Sequence, residues 1–244
     1  MRTLLDERFA PITSSIGFLE LPLEAAASGL EEWRRTLRGN IRVAKPNEGF
    51  PEVLHRLEPL TGGAKPRELL VAMGPWTAYF DNALRGTDAW PVIGYLSRRL
   101  GCQGLVVVTV PHTAGTKGTK LGRSGALHFQ MFGPLRTQFL NNVRTVAVTH
   151  DGDRWVFTLT GTQQVFEEPD AYNARQVRDR FTSDMLERYC QALGIDVFNP
   201  EAYGPDSVFL ESPVSIPPQA VVMTLSQAQA WLEIDPETTQ NLAG

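Results

Sequence analysis

Apolar residues recur at helical spacing in some stretches of this chain and alternate with polar ones in others. From Glu24 to Arg38, Leu30, Trp33 and Leu37 fall on one face, Glu31 stands one turn before Arg35, and Gly39 marks a stop. Val92, Leu96 and Leu100 repeat that spacing after a cap at Thr87 or Asp88 and before Gly101. Around these helices the pattern predicts strands over Ser15 to Leu21 and Ile41 to Lys45, and a further helix over Phe50 to Leu60, cut off by TGG. Glu68 to Met73 and Trp76 to Phe80 read as one strand broken near Gly74 and Pro75.

Beyond residue 101 the character changes. Leu105 to Val110, Ala126 to Phe132, Arg144 to His150, Arg154 to Thr160 and Gln163 to Glu167 read as strands with no helix-length segment that must separate them. THDGDR predicts a hairpin with a two-residue Asp151-Gly152 loop, which sets Val148 against Trp155 and Val146 against Phe157. Val177, Phe181, Met185, Tyr189 and Leu193 then give helical spacing over Asn173 to Leu193, with a candidate fresh start at Thr182 and a stop at Gly194. Five prolines between Pro200 and Pro218 predict an extended arm, and Ser226 with Gln229 a capping box before a short helix. The whole predicts an α+β fold: a mostly antiparallel central sheet, an αβ-alternating N-terminal part and flanking helices. A single domain over 1–244 is expected; the alternative divides it into 1–101 and 102–244.

With 244 residues, 42% of them hydrophobic, the chain can bury a full core. Its longest apolar runs fall far short of the roughly 20 residues that cross a bilayer, so no membrane partner and a soluble, cytoplasmic protein are expected. Cys102 and Cys190 have no partners at metal-ligand spacing, and no cofactor motif occurs, so neither metal nor cofactor is expected. The net charge of −4 hides a segregation. The 62 residues between Asp88 and Asp151 hold no acid and carry Arg98, Arg99, Lys117, Lys120, Arg123, Arg136 and Arg144. The 56 residues after Arg188 hold no lysine or arginine but seven acids. Either the acidic tail screens the basic block, the reading favoured, or each block faces its own partner.

Four stretches are candidates for chemistry. PHTAGTKGTKLGRSGA, Pro111 to Ala126, has glycines and cations but lacks phosphate-loop spacing and leads into a strand, so it reads first as a hairpin connection. Its alternative is an anion contact through Lys117, Lys120 and Arg123. GPWTAYFDNALRGTD gathers Trp76, Tyr79, Asp81, Asn82 and Arg85 between a strand and a helix start, where α/β proteins place ligand contacts. Against that stands plain core packing of Trp76, Ala78 and Phe80. If the chain is an enzyme, His112, at a strand end, is the candidate acid or base; otherwise it reads as an ordinary surface or capping histidine. Arg175 and Arg178 stand three apart, which in a helix places them on one face, either as a solvated face paired locally with Glu167, Glu168, Asp170 and Asp179, the reading favoured, or as a fork onto carboxylates or phosphates.

These features predict a non-catalytic protein-binding module, of the kind that neutralises another protein as immunity proteins and antitoxins do, with a protein as partner. The alternative is an enzyme acting on a phosphorylated or anionic small molecule through the 111–126 loop. Nucleic acid is disfavoured by the acidic net charge and by the few aromatics among the basic residues.

Overall fold

The structure, a computed structural model, describes residues 1–115 and 122–235. It is an α+β fold built on a nine-stranded sheet. Its strands are β1 (Ser15–Leu19), β2 (Arg42–Ala44), β4 (Arg67–Met73), β5 (Trp76–Asp81), β6 (Gly104–Val110), β7 (Ala126–Phe132), β8 (Asn142–His150), β9 (Trp155–Gly161) and β10 (Ser207–Glu211). They lie in the order β2-β10-β4-β5-β1-β6-β7-β8-β9, every neighbouring pair antiparallel. A second, two-stranded pairing joins β3 (Leu60–Thr61) to β11 (Val222–Met223).

Each face of the sheet carries its own core. Helices α1 (Leu23–Arg38) and α2 (Ala89–Leu100) pack Leu30, Val92, Ile93 and Leu96 against Leu19, Leu70, Val106 and Val108. The opposite face, with Phe18, Leu69, Phe80, Val107 and Phe129, receives a 3-10 helix at Glu52–Leu57 and α3 (Ser183–Ala192). The central strands β1, β5 and β6 are therefore buried on both sides, which is why their sequences run apolar without alternation. The short helix α4 (Leu225–Trp231) follows β11. Among the described residues no helix is long and apolar enough to cross a membrane.

Several expectations are corrected. Gly74 and Pro75 reverse the chain: Met73 pairs with Trp76, and β4 and β5 form a hairpin with Gly74 at φ 57°. The expected helix over Phe50 to Leu60 is only six residues of 3-10 helix, bracketed by Pro51 and Pro59. Gln163 to Glu167 is no strand, because Glu167 turns inward to Arg144 and accepts from the Gln164 N–H at 2.7 Å. In the β8–β9 hairpin, Val148 pairs with Phe157 and His150 with Trp155, two residues from the predicted register. The loop is four residues long, because Asp151 Oδ1 accepts from the N–H groups of both Asp153 and Arg154 at 2.9 Å. The faces are unchanged, since a slip of two preserves which side chains point inward.

The helical pattern from Asn173 breaks into 3-10 turns, and the α-helix starts at Ser183, with Thr182 Oγ1 accepting from the Met185 N–H at 3.3 Å. Part of the proline-rich arm is β10, inserted between β2 and β4. The capping box lies two residues earlier than predicted, at Thr224 and Gln227. Among the described residues the basic block forms its ion pairs elsewhere than with the tail: Arg99 meets Glu32, Arg123 meets Glu7 and Arg144 meets Glu167. Glu211 of the tail meets Arg42 and Arg67.

Candidate functional site

The 111–125 connection joins β6 to β7, and its base is closed like a hairpin. Arg123 C=O accepts from the N–H groups of Thr113 and Ala114 at 3.0 Å, and the Arg123 N–H donates to Thr113 Oγ1 at 2.9 Å. The Arg123 side chain turns inward. It is buried and forks onto Glu7, Nη1 to Oε1 at 2.6 Å and Nη2 to Oε2 at 3.0 Å. Arg123 is thus committed to an internal ion pair and is not free for an external anion. Glu7 closes a run of three non-glycine residues in left-handed backbone, Leu5, Asp6 and Glu7 at φ 58°, 48° and 65°, a strained turn held in place beside this pair. Lys117 and Lys120 lie outside the described residues.

His112 stands where the loop leaves β6. Its Nδ1 accepts from the Gly125 N–H at 3.2 Å, so the neutral ring carries its hydrogen on Nε2. The His150 ring lies 4.2 Å away, centroid to centroid, and its own Nδ1 accepts from the Gly152 N–H at 3.3 Å. Both imidazoles meet Trp155 edge-on at 5.4 Å, and the Arg178 guanidinium sits 5.8 Å from the Trp155 ring. Desolvation first, then His150 and Arg178, lowers the His112 pKa from its ordinary value and so favours the neutral ring. A cavity of about 470 Å³ joins His112, Trp155 and Arg178 to Thr182 and Ser183 at the start of α3. Arg175 is exposed. Arg178 lies on a 3-10 turn, not on the α-helix face expected for the pair.

In the Trp76 to Asp88 stretch, Trp76 to Asn82 form an internal network, while Arg85, Thr87 and Asp88 line a cavity of about 550 Å³. Trp76 is buried and donates Nε1–H to Leu193 C=O at 2.9 Å. Asn82 bridges the Arg67 N–H and Pro59 C=O. On the helix-covered face, Arg34 forks onto Glu68 with Nη2 at 2.6 Å and Nε at 2.8 Å. The Tyr79 hydroxyl donates to Glu68 at 2.8 Å and lies 3.3 Å from Asp81. Asp81 accepts from the N–H groups of Ala83 and Asp88, which favour its charge, yet burial prevails and pushes its carboxyl up to about 6. Trp76, Tyr79, Asp81 and Asn82 are all buried, while Arg85 is exposed over the Trp231 ring at 5.0 Å.

A surface that the sequence reading passed over lies between α2 and the β7–β8 loop. Asn141 Nδ2 ties this loop to α2, donating to Gly94 C=O at 2.9 Å and Ser97 Oγ at 3.0 Å. So anchored, the loop presents Leu135, Phe139 and Leu140 at 77%, 69% and 61% exposure. A cleft of about 450 Å³ runs between Phe139 and Leu140 on one wall and Trp90, Tyr95 and Arg98 on the other. Tyr95 is braced by stacking on Trp33 at 4.2 Å. Arg98 and Arg136 are exposed, and among the described residues neither forms an ion pair. The signal was present in FGPLRTQFLNN, where large apolar residues stand amid glycine, proline and asparagine turn chemistry. No family model, no curated protein and no solved structure matches the chain.

Proposed function

We propose that this protein is a non-catalytic binding module that docks another protein, in the manner of a neutralising partner, through the cleft between α2 and the β7–β8 loop. The observation that carries the reading is the concentration of Leu135, Phe139 and Leu140, each more than 60% exposed, on one anchored loop beside an aromatic-walled cleft. Large apolar side chains gathered on one surface loop are the composition of an interface core. Arg98 and Arg136 select a partner that brings an apolar anchor flanked by carboxylates, which they steer and orient. The test is affinity capture with quantitative mass spectrometry, comparing wild type with Leu135→Asp/Phe139→Asp and Arg98→Glu/Arg136→Glu. A protein retained by wild type, lost in the first variant and rendered insensitive to salt in the second is the expected result. Equal capture by all three would end the proposal.

The cavity at His112 favours a second reading, an enzyme or binder for a phosphorylated or anionic small molecule. Its support is that His112 and Arg178, far apart in sequence, line the cavity together with Asp179, with the His150 ring 4.2 Å from that of His112. Titration with inorganic phosphate, followed through the imidazole proton resonances, tests it: shifts of His112 that vanish in Arg178→Gln favour an anion site, and unmoved resonances remove it.

A further inference from the structure

The open face of β7, β8 and β9 carries a second, differently built cavity. Gln130, Thr145 and Thr160 stand opposite one another across the three strands and form a polar row on the helix side of the sheet. The row is wired together. Trp90 Nε1–H donates to Gln130 Oε1 at 2.6 Å, and Gln130 Nε2 donates to Asn142 Oδ1 at 3.2 Å. Thr145 Oγ1 also donates to Asn142 Oδ1 at 3.2 Å, and Asn142 Nδ2 donates to Thr160 Oγ1 at 3.3 Å. Above the row lies a cavity of about 780 Å³, and no charged residue lines it. Phe139, 69% exposed, is one of its walls.

We infer that this cavity is a binding site for a neutral saccharide. These bonds fix each side chain and leave a remainder: one hydrogen and one oxygen lone pair on the Gln130 amide, one hydrogen on the Asn142 amide, the hydroxyl hydrogen and one lone pair of Thr160, and the lone pairs of Thr145. The remainder mixes donors and acceptors, as sugar hydroxyls do, and the row is held in place before any ligand arrives. An anionic ligand would meet no cation in the lining, and a cationic one no carboxylate. The exposed Phe139 ring offers an apolar face to the C–H side of a pyranose, an aromatic wall with few polar groups opposite being the usual make-up of a small-molecule site.

The inference does not rest on the protein-docking proposal, and the test separates them. Saturation-transfer NMR is run with cellobiose, maltose and N,N′-diacetylchitobiose as neutral probes, glucuronic acid as a charged saccharide and uridine as a neutral ligand of another class. Transfer to at least one neutral disaccharide, saturating near the millimolar range of about −4 kcal/mol, is expected. Thr145→Val/Thr160→Val, which keeps side-chain shape on strand positions, should weaken it at least about tenfold, and Leu135→Asp should leave it unchanged. Phe139→Ala, on an exposed loop, gives a second loss of affinity if the threonine variant fails to fold. Absence of transfer from every neutral disaccharide, preference for glucuronic acid or uridine, or full binding by the folded variants would overturn the site.

Discussion

Asp81 and His128 stand on the same, helix-covered side of the sheet and titrate in opposite senses. Burial lifts the Asp81 carboxyl from its ordinary 3.8 to about 6. Between those values the folded state binds more protons than the unfolded one, so this contribution to stability is full below pH 4 and is lost as pH rises through about 6. His128 lies against the Trp90 ring with its Nδ1 buried and, among the described residues, without a hydrogen-bond partner, and burial pushes it from 6.5 down to about 4. Here the unfolded chain binds more protons over the same interval, so stability is lost as pH falls below the ordinary value and is regained as it rises. Each shift of about two units corresponds to roughly 3 kcal/mol. The two contributions therefore nearly cancel between about pH 4 and 6.5. Urea midpoints measured across that window should rise more steeply with pH in Asp81→Asn than in wild type, because the His128 contribution is no longer offset, and less steeply or downward in His128→Gln. If both variants keep the wild-type slope, neither group titrates in the folded state as argued.

Helices α1 and α2 were legible because their spacing and stops are local. Leu30 and the Glu31–Arg35 pair, at 2.6 Å, stand as the pattern of α1 predicts. What the pattern did not show is why α2 packs so low on the sheet. Gly17 and Gly104, on β1 and β6, lie beneath Ile93, and a Cβ there would sit 2.5 Å and 2.6 Å from its side-chain carbons. Gly17→Ala should therefore destabilise by about 1–3 kcal/mol through overpacking. Combined with Ile93→Ala it should cost measurably less than the sum of the two single changes, and strict additivity in urea denaturation would refute the close approach. The buried Arg34–Glu68 fork links α1 to β4 in the same way. Arg34→Met should lose about 3–5 kcal/mol, because it leaves a buried carboxylate without its cation; a loss under 1 kcal/mol by the same measurement would mean that Glu68 finds other compensation. Distance along the chain explains the misread elements. β10 is five residues amid prolines whose partners β2 and β4 lie more than a hundred residues earlier. Arg123 read as a loop cation because Glu7, 116 residues away, could not be seen beside it. The two-residue register error at THDGDR has another origin: alternation fixes the face of a strand but is blind to a slip of two.

Over the whole molecule, one nine-stranded sheet leaves two edges, and they are not equally protected. At one end β2 is three residues long, begins with Arg42 and is followed by Lys45 and Pro46, all features that discourage a further strand. At the other end β9 is seven residues, WVFTLTG, with no charge and no proline, and Leu159 is 40% exposed. The exposed apolar loop at Leu135 and the uncharged cavity over Gln130 both belong to this β7–β9 end of the sheet. An edge without charges is a template for edge-to-edge pairing whenever the chain is stressed. Thr158 is exposed on β9 and Val43 on β2. Thr158→Lys should delay the onset of light scattering on slow heating, while Val43→Lys, on the edge already guarded, should not. The comparison is made at equal unfolding midpoint, so that a change in stability cannot stand in for a change at the edge. Equal delay from the two lysines would show that added charge alone is responsible, and the asymmetry of the edges would then carry no consequence for association.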